Sequence, residues 1–279
     1  MTTPPVALTI AGSDSGGGAG IQTDLVTFAA HGVHGASVVT ALTAQNTRGV
    51  HGVHVPPVAF LRAQLDAVLD DLPVAAVKTG MLATEQVVLA VAAAAAAGRL
   101  PRLVVDPVLV SSTGARLLDA GAERAYADDL FPHALVVTPN TREAAALVGG
   151  AVATAADARE AAVEIGRLGP RWVVVKGGHQ TDESGGDASA EAVDVVVETA
   201  TGAVSELRAP RVATRNDHGT GCTFAAATVA GLARGAPVPV ALAEAKAFVH
   251  AGLVASAGWR LGGGHGPVGK LGAWGPGPG

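Results

Sequence analysis

The chain contains a single cysteine among 279 residues, so no disulfide bond can form within it. Such cysteine usage is typical of proteins that work in a reducing compartment. Aromatic residues are also scarce, at 3% of the chain, although nearly half of all residues are apolar. Alanine, valine and glycine therefore dominate the predicted core. Small side chains allow the close backbone packing of a parallel sheet covered by helices.

A strong charge of either sign is missing as well. The formal net charge is −5, and no run of five or more basic residues occurs. Nucleic acid or an acidic membrane surface is therefore not expected as the main partner. The first residues, MTTPPVALTIAGSDSGGG, lack the charged start and long apolar stretch of a secretory signal. The apolar segment 83–97 is too short to span a bilayer. We expect a cytoplasmic enzyme or binding protein.

Short β-rich runs alternate with helical patterns along most of the chain. The strands are predicted at residues 6–11, 36–43, 51–55, 74–78, 103–106, 135–137 and 172–175, and the helices at 21–31, 58–69, 84–97 and 237–257. This alternation indicates βαβ units and a mostly parallel sheet, and its even spacing favours one domain over residues 1–279. Hairpin-like strands are predicted around 193–197 and 204–207, after an exposed polar loop at 180–191. The Gly/Pro-rich tail, 262–279, is expected to be irregular.

A glycine-rich loop joins the first strand to the first helix. Its sequence, GSDSGGGAG, matches neither GxGxxG nor GxxxxGK[ST], so neither a dinucleotide-binding turn nor a P-loop is supported. A flexible turn is one interpretation. A ligand-facing loop is favoured, because five glycines between a strand and a helix exceed what a tight turn needs.

A second glycine-containing stretch, TRNDHGTGCTFAAATVAGLAR, predicts a buried helix that begins within residues 218–222. The first backbone N–H groups of a helix have no intrahelical partner, so Gly219, Thr220, Gly221 and Cys222 form a candidate anion site, most plausibly for phosphate. The positive end of the helix dipole would favour the thiolate of Cys222. The alternative is a glycine-bounded loop followed by a helix that starts with a buried structural cysteine.

Several predicted strands end in polar residues, and in a parallel sheet these ends meet at one edge. Asp106, Asn140 and Glu143 would supply hard oxygen groups there, suited to Mg²⁺ held partly through water and partly by nucleotide phosphates. The alternative for two of them is structural: Asn140 caps the helix that starts at Thr141, and Glu143 completes a capping box. Both interpretations can hold together.

Four further residues are candidates for ligand contacts. Lys176 follows a run of valines and could neutralise phosphate, although a lysine at a strand end more commonly reaches solvent. The amide of Gln45 offers a donor beside an acceptor, which matches the edge of an aminopyrimidine, although a glutamine there can also be merely solvated. Met81 and Val108 are ordinary apolar contacts or the walls of a flat pocket.

Taken together, these stretches resemble the ribokinase-like superfamily, and within it the hydroxymethylpyrimidine/phosphomethylpyrimidine kinases of thiamine biosynthesis. The resemblance rests on AGSDSGGGAGIQTDL at 11–25, TALTAQNT at 40–47, KTGML at 78–82, VVDPV at 104–108, TPNTREAAAL at 138–147, VKGGH at 175–179, HGTGCT at 218–223 and GGGHGPV at 262–268. The order and spacing of these segments hold over nearly the whole chain.

The resemblance implies a ribokinase-like three-layer α/β/α fold and ATP-dependent phosphorylation of 4-amino-5-hydroxymethyl-2-methylpyrimidine, and then of its monophosphate. It implies a substrate site with Gln45, Gly12, Asp24, Met81 and Val108. It also implies an anion hole at 219–222, nucleotide contacts from Lys176, Asn140 and Thr220, Mg²⁺ near Asp106, Asn140 and Glu143, and a homodimer.

Two other functions remain open at this stage. The wider superfamily has an aspartate in place of Cys222, and the exchange is expected both in the pyrimidine kinase branch and in some related pyridoxal kinases. A pyridoxal kinase is therefore the first alternative, and Gln45 is the residue that discriminates against it. The second alternative, from another class, is a non-catalytic sensor of nucleotide or pyrimidine. The loop at 180–191 is longer and more polar than is usual in the family.

Overall fold

The computed structural model describes residues 3–109, 121–177 and 190–270, and the structural statements below concern these residues. They form the strands β1 Val6–Ala11, β2 His34–Val39, β3 Leu42–Asn46, β4 Gly49–His54, β5 Val74–Thr79, β6 Val104–Val105, β7 Val136–Val137, β8 Trp172–Val175, β9 Glu191–Glu198 and β10 Ala203–Pro210. The α-helices are α1 Gly20–Ala30, α2 Val58–Leu69, α3 Glu85–Ala96, α4 Ala122–Ala125, α5 Thr141–Val148, α6 Ala155–Gly166, α7 Thr220–Ala233 and α8 Val238–Ser256. A π-turn and a 3₁₀-turn continue α4 to His133.

Eight of these strands form one sheet in the order β10-β9-β8-β7-β6-β5-β1-β2. The six strands from β8 to β2 run parallel, and β9 and β10 are antiparallel additions at one edge. The remaining two, β3 and β4, pair only with each other and form an antiparallel ribbon. The mostly parallel sheet with helices on both faces confirms the predicted ribokinase-like fold.

The two faces of the sheet support separate cores, and successive residues of one strand point to opposite faces. Leu8, Val105 and Val137 pack with α2, α3, α4 and α6 on one face. Their neighbours Ala7, Val104 and Val136 pack with α1, α7 and α8 on the other. The strands are thus apolar on both faces, as a parallel sheet between two helical layers requires.

Helix α8 is long and apolar enough to cross a membrane by length and composition alone, a test that core helices of soluble proteins also pass. In this fold it lies against α7 in one helical layer. Its inward face carries Ala241, Leu242, Ala245 and Val249, all of which are buried.

One predicted strand proves to be two elements. The run predicted at 36–43 breaks at Thr40 and Ala41. The N–H of Thr40 still donates to the carbonyl of Ala11 in β1, at 3.0 Å, but other groups of these two residues bond to neighbouring loops. The Thr40 hydroxyl donates to the carbonyl of Met81 at 2.6 Å, and the Ala41 carbonyl accepts from the N–H of Ser13 at 2.9 Å. The chain therefore leaves the main sheet after β2 and enters the ribbon, which carries Gln45.

Two predictions concern segments that are only partly described. The exposed loop predicted at 180–191 lies outside the described residues except for its last two positions, and Glu191 already belongs to β9. In the predicted irregular tail, residues 262–270 are described and contain no helix or longer strand, as expected.

Candidate active site

The carboxyl ends of the parallel strands enclose a cavity of about 760 Å³. All but one of the residues predicted to carry function line it: Gly12, Gln45, Met81, Asp106, Val108, Asn140, Glu143, Lys176, Gly219, Thr220, Gly221 and Cys222. Since these residues come from seven separate segments of the chain, the fold brings them together as the strand-end argument predicts. The exception is Asp24, which lies behind the cavity wall.

The predicted anion turn, residues 218–222, forms the start of α7. Gly219 is the N-cap and has φ 81°, in the left-handed region that favours glycine. The N–H and the hydroxyl of Thr220 both donate to the carbonyl of Asp217, at 3.2 and 2.5 Å. The N–H groups of Gly221 and Cys222 have no partner within a helix that starts here, and both residues line the cavity. The turn therefore has the geometry of an anion site.

Cys222 is half-buried at this turn, and its environment differs from the prediction. Burial raises the pKa of the thiol, and the charges of Asp24 and Asp106 raise it further. The Lys78 ammonium and a hydrogen bond from the backbone of Gly20 lower the thiol pKa, but the net pKa remains above the ordinary value. The low thiol pKa expected from the helix dipole is therefore wrong, because loss of solvation outweighs it.

Asp14 organises the glycine-rich loop, residues 12–19. Its carboxylate accepts hydrogen bonds from the backbone N–H groups of Gly16, Gly18 and Ala19, at 2.8, 3.1 and 2.9 Å. The same carboxylate lies 2.9 Å from Nε2 of His218 at the anion turn. Burial raises the pKa of Asp14, but these hydrogen bonds lower it more, so the net pKa lies below its usual range. The hydrogen bonds of Asp14 thus hold the loop in place and connect it to the anion turn.

Gln45 lies in the ribbon, on β3, and not at the end of a main-sheet strand as predicted. Its backbone N–H donates to the hydroxyl oxygen of Ser15 in the glycine-rich loop at 2.8 Å, and the same hydroxyl donates to the Gln45 carbonyl at 2.7 Å. The side-chain amide is half-buried, lines the cavity and lies 3.4 Å from Nε2 of His218. A ring seated beside Gln45 would therefore face the anion turn.

Lys176 lies inside the cavity and not in solvent. Its ammonium donates to Oδ1 of Asp106 at 2.7 Å, and the hydroxyl of Thr138 donates to the same oxygen at 3.0 Å. Burial lowers the pKa of Lys176, but the carboxylates of Asp106 and Glu143 raise it more, so the lysine stays protonated. A Cβ added at Gly221 would lie 3.0 Å from Nζ of this lysine. A fixed positive charge therefore stands directly beside the anion turn.

The capping box at the start of α5 is present. The side chain of Asn140 accepts from the N–H groups of Arg142 and Glu143, both at 2.9 Å, and the Glu143 carboxylate accepts from the N–H of Asn140 at 2.7 Å. Glu143 is only 3% exposed. Burial raises its pKa to about 8, against the opposing effect of the Lys176 ammonium. The structural interpretation of this pair thus holds, while both side chains also line the cavity.

Glu143 should make the stability of the protein depend on pH. Its pKa is about 8 in the folded state against an ordinary value of 4.5, so the folded state binds the proton more tightly. The contribution of this group to the free energy of unfolding is therefore largest below about pH 4.5 and is lost as the pH rises toward about 8. Glu143→Gln keeps an acceptor for the capping bond and removes the titration.

Urea unfolding at pH 5.5 and 8.5 measures this effect. The wild type should lose more stability between the two pH values than the Gln variant does. Equal losses in both proteins would contradict the raised pKa of Glu143.

The carboxylate of Asp24 is 0% exposed and has its partners beneath the cavity. Both of its oxygens accept from Nζ of Lys78, at 3.0 and 2.9 Å, and the hydroxyl of Thr9 donates to Oδ2 at 2.6 Å. Burial raises the pKa of Asp24 despite the lysine. The substrate contact predicted for Asp24 does not fit its position, because its side chain is fully buried and it is not among the residues that line the cavity, whereas Lys78 is.

The described part of the tail, residues 262–270, is irregular but firmly bonded to the site. Its Gly266 carbonyl accepts from the backbone N–H of His218, and the N–H of Val268 donates to the His218 carbonyl, both at 3.0 Å. The segment also donates a backbone hydrogen bond to the carbonyl of Thr47 in the turn of the ribbon, at 3.1 Å. It thus holds the anion turn and the ribbon in fixed relation.

A preformed metal cage is not present within residues 3–109, 121–177 and 190–270, where no three His, Cys, Asp or Glu side chains are arranged to hold an ion. Oδ1 of Asp106 accepts from Lys176, and the amide oxygen of Asn140 caps α5. Asp106 and Glu143 nevertheless present hard oxygen donors beside the anion turn. This donor set fits Mg²⁺ that is held mainly by phosphate and water.

Three residues of the site, Asp14, Lys78 and His218, have no role assigned from the sequence, although each lies in a segment that carries the resemblance. Asp14 and His218 are partners across 204 positions of sequence, so only the folded chain reveals the pair. Lys78 does leave a signal, since it is the one charged residue in the strand VAAVKT. A charge inside an apolar strand is rarely buried without a partner.

A three-layer fold with an anion turn, a buried cation and one cavity at the carboxyl edge of its sheet defines the ribokinase-like class of small-molecule kinases. The family of phosphomethylpyrimidine kinases matches residues 14–269. A hydroxymethylpyrimidine/phosphomethylpyrimidine kinase of Streptomyces coelicolor is 49% identical over 267 residues, which are 95% of this chain and 94% of that protein. The chain belongs to the phosphomethylpyrimidine kinase family.

Solved structures agree on the fold. The phosphomethylpyrimidine kinase of Clostridium difficile is similar with a TM-score of 0.75 at 36% identity, over 88% of this chain and 97% of that one. The ADP complex of Bacillus subtilis pyridoxal kinase is similar with a TM-score of 0.85 at 35% identity, over 96% of this chain and 98% of that one. Fold similarity alone therefore does not separate the two substrate classes.

Proposed function

We propose that the protein is the bifunctional kinase that phosphorylates 4-amino-5-hydroxymethyl-2-methylpyrimidine and then its monophosphate, with ATP as donor, in thiamine biosynthesis. Membership of the family supports the activity. The observation that carries the proposal is that Gln45 and Cys222 line the same cavity as the anion turn. Gln45 offers a donor and an acceptor to the edge of a pyrimidine, and Cys222 offers a thiol. A ring held by Gln45 would direct its hydroxymethyl group toward this turn.

Phosphoryl transfer needs positioning and charge stabilisation more than covalent help from the protein. The N–H groups of Gly221 and Cys222, at the start of α7, receive the γ-phosphoryl group as charge develops on it, and the Lys176 ammonium neutralises part of that charge. The hydroxymethyl oxygen forms the new bond to phosphorus, the bond between the γ-phosphorus and the bridging oxygen breaks, and ADP leaves. Cys222, as thiolate, takes the hydroxyl proton.

The second phosphorylation differs in its nucleophile. The acceptor is a phosphate oxygen, which is already ionised near neutral pH and has no proton to give up. Cys222 is therefore needed as a base only in the first reaction. The anion turn and Lys176 serve both reactions, because charge develops on the transferred group in each.

Mg²⁺, bound with ATP, would neutralise phosphate charge, and Asp106, Asn140 and Glu143 are the residues that would reach it through water. Thr220, Asn140 and Lys176 would contact the nucleotide. Met81 and Val108 would form the walls around the pyrimidine, and Gly12 leaves room beside Met81, since a Cβ there would lie 2.5 Å from its Cε.

The proposal is tested by ATP consumption with Mg²⁺ and three acceptors side by side: hydroxymethylpyrimidine, its monophosphate and pyridoxal. Turnover of both pyrimidines with little pyridoxal activity is expected. Preference for pyridoxal would assign the chain to vitamin B6 salvage, the alternative that the similarity to Bacillus subtilis pyridoxal kinase favours. Binding of ligands without any turnover would instead support the sensor.

Gln45→Leu should discriminate between the two ring systems. The substitution removes the amide that matches an aminopyrimidine edge and leaves the anion turn in place. KM for hydroxymethylpyrimidine is expected to rise about 10- to 100-fold, since one or two hydrogen bonds are lost. The KM for ATP serves as the internal control and should stay within about twofold. An unchanged KM for the pyrimidine would remove Gln45 from the substrate site.

We further propose that residues 1–279 work as one kinase domain, that two chains associate as a homodimer, and that the enzyme is cytoplasmic. The single eight-stranded sheet, at whose carboxyl edge the segments of the site meet, supports the first of these proposals. Sedimentation equilibrium of the purified protein tests the second, with a mass of twice 27.4 kDa as the expected result.

A further inference from the structure

Lys246 and Asp194 form an ion pair in the cavity that the mechanism above does not use. Lys246 lies on α8 and Asp194 on β9, and Nζ of the lysine donates to Oδ2 of the aspartate at 2.8 Å. Asp194 is only 4% exposed, and both residues line the cavity. Removing two charges from water costs free energy that their attraction returns only in part, so a buried pair is weak evidence for a stabilising role. The partner of the other carboxylate oxygen indicates a different role.

Oδ1 of Asp194 accepts a buried hydrogen bond from the backbone N–H of Gly177, at 3.0 Å. The antiparallel ladder between β8 and β9 has its last pair at Val175 and Val195. A side chain of β9 therefore supplies the acceptor at the point where backbone pairing between the two strands stops. Gly177 directly follows Lys176, so this hydrogen bond acts on the peptide unit next to the cation of the site.

The backbone of Lys176 is thus held on both sides. Its own N–H donates to the carbonyl of Pro139 after β7, at 2.9 Å, and the following N–H, of Gly177, donates to Asp194. Each N–H belongs to a planar peptide unit, and these two units flank the Cα of Lys176. Holding both planes fixes φ and ψ of Lys176, and with them the direction in which its side chain leaves the backbone. The ammonium at the end of that side chain lies 2.7 Å from Oδ1 of Asp106, beside the anion turn.

We propose that Asp194, supported by Lys246, is a positioning residue that holds the ammonium of Lys176 in place for the phosphates of the nucleotide. This inference rests on the proposed function, in which Lys176 is the cation beside the transferred phosphoryl group. The carboxylate of Asp194 supplies the acceptor for Gly177, and Lys246 compensates the negative charge of that carboxylate in its buried position. The pair acts through Lys176 and not by contact with the reacting atoms.

The disruptive variant is Asp194→Leu with Lys246→Met, which removes the acceptor and leaves neither charge unpaired. Isothermal titration with Mg²⁺ and AMP-PCP, a non-transferable ATP analogue, measures the Kd. The Kd should rise about tenfold, because a charge-assisted contact to phosphate is weakened. The kcat of both phosphorylations should fall about 10- to 100-fold, as expected when a catalytic group is displaced by about 1 Å. The KM for hydroxymethylpyrimidine should stay within about twofold, since Gln45 is held by a different hydrogen-bond network.

The conservative variant is Asp194→Asn with Lys246→Gln. Its asparagine oxygen can still accept from Gly177, and its asparagine amide can donate to the glutamine oxygen, so the hydrogen bonds remain while both charges are gone. Its Kd and kcat should stay within about threefold of the wild type, because the peptide after Lys176 is still held. A loss as large as that of the disruptive variant would overturn the inference, since the charges of the pair would then matter and not the bond to Gly177.

A double-mutant cycle with Lys176→Met tests whether the pair acts through this lysine. In the Lys176→Met background, Asp194→Leu with Lys246→Met should weaken AMP-PCP binding by less than about twofold further. The full tenfold loss in that background would contradict the inference, because the pair would then act independently of Lys176.

The matched control is an exposed ion pair that also involves α8. Arg234 and Glu244 lie 2.6 Å apart, and neither lines the cavity. Arg234→Met with Glu244→Gln should leave the Kd for AMP-PCP unchanged, and an equal loss there would overturn the inference. Circular dichroism checks that each variant is folded, and Asp194→Ala with Lys246→Met replaces the leucine variant if that one does not fold.

The outcomes separate this inference from the proposed function. AMP-PCP binding needs no acceptor, so a Kd that rises in the disruptive variant and is preserved in the conservative one supports the role of Asp194 even if no pyrimidine is phosphorylated. In that case only the proposed function fails. An unchanged Kd and kcat in the folded disruptive variant overturn the role of Asp194, while turnover of both pyrimidines by the wild type leaves the proposed function intact.

Discussion

Cys222→Ala is expected to slow the first phosphorylation about 10²- to 10⁴-fold, the range typical of a lost general base. The second phosphorylation should slow by less than about tenfold, because its phosphate acceptor needs no base. Single-turnover reactions with hydroxymethylpyrimidine and with its monophosphate measure the two steps separately. The comparison is internal to one variant, so a general loss of folded protein affects both rates alike.

Two further measurements sharpen this result. The raised pKa of Cys222 means that the wild-type rate of the first step should increase with pH over the range in which the thiol ionises, whereas the second step should depend less on pH. Cys222→Ser keeps the size of the side chain but supplies only a poor base, so it should resemble the alanine variant. Equal losses in both steps would mean that Cys222 shapes the anion turn and does not accept a proton.

Gly219→Ala should be nearly inactive in both reactions. Alanine at this position would adopt φ 81°, at a cost of about 1–2 kcal/mol. Its Cβ would also lie 1.9 Å from the carbonyl oxygen of Gly18, so the backbone of the turn must move. A displacement of about 1 Å in groups that position a reacting centre can cost about 100-fold in rate. Initial rates with both pyrimidine acceptors measure the loss.

Gly202→Ala is the matched control for this substitution. Gly202 has φ 70° in the turn between β9 and β10, and nothing lies within 4 Å of its Cβ position. It should therefore show the backbone strain, as a loss of about 1–2 kcal/mol in urea unfolding, and keep its kinase activity. Comparable activity losses in both variants would refute a specific role for the anion turn, since strain alone would then account for them.

Much of the site is predictable because it depends on local chemistry. Glycines in front of an apolar helix predict the anion turn, and the Asn140 and Glu143 spacing predicts the capping box that is observed. The strand ends converge because a parallel sheet aligns them. Gln45 lines the cavity, although its strand belongs to a ribbon that the sequence does not separate from β2.

The remaining features depend on contacts between distant segments. No local pattern indicates that Asp14 pairs with His218, or that Asp24 pairs with Lys78. The pKa of Cys222 is a balance between burial and several charges, so the helix terminus alone gives the wrong direction. The direction of such a pKa shift can be determined only when the burial of the group and its distances to charged neighbours are known.

The bonding of residues 266–268 to His218 has a consequence for the order in which the protein becomes active. The anion turn takes part of its hydrogen bonding from residues that leave the ribosome almost fifty positions later. The sheet and most helices can form during translation, yet the hydrogen bonding of the anion turn is complete only after this segment has emerged. A chain released before that point would lack the hydrogen bonds that hold His218 at the start of the anion turn.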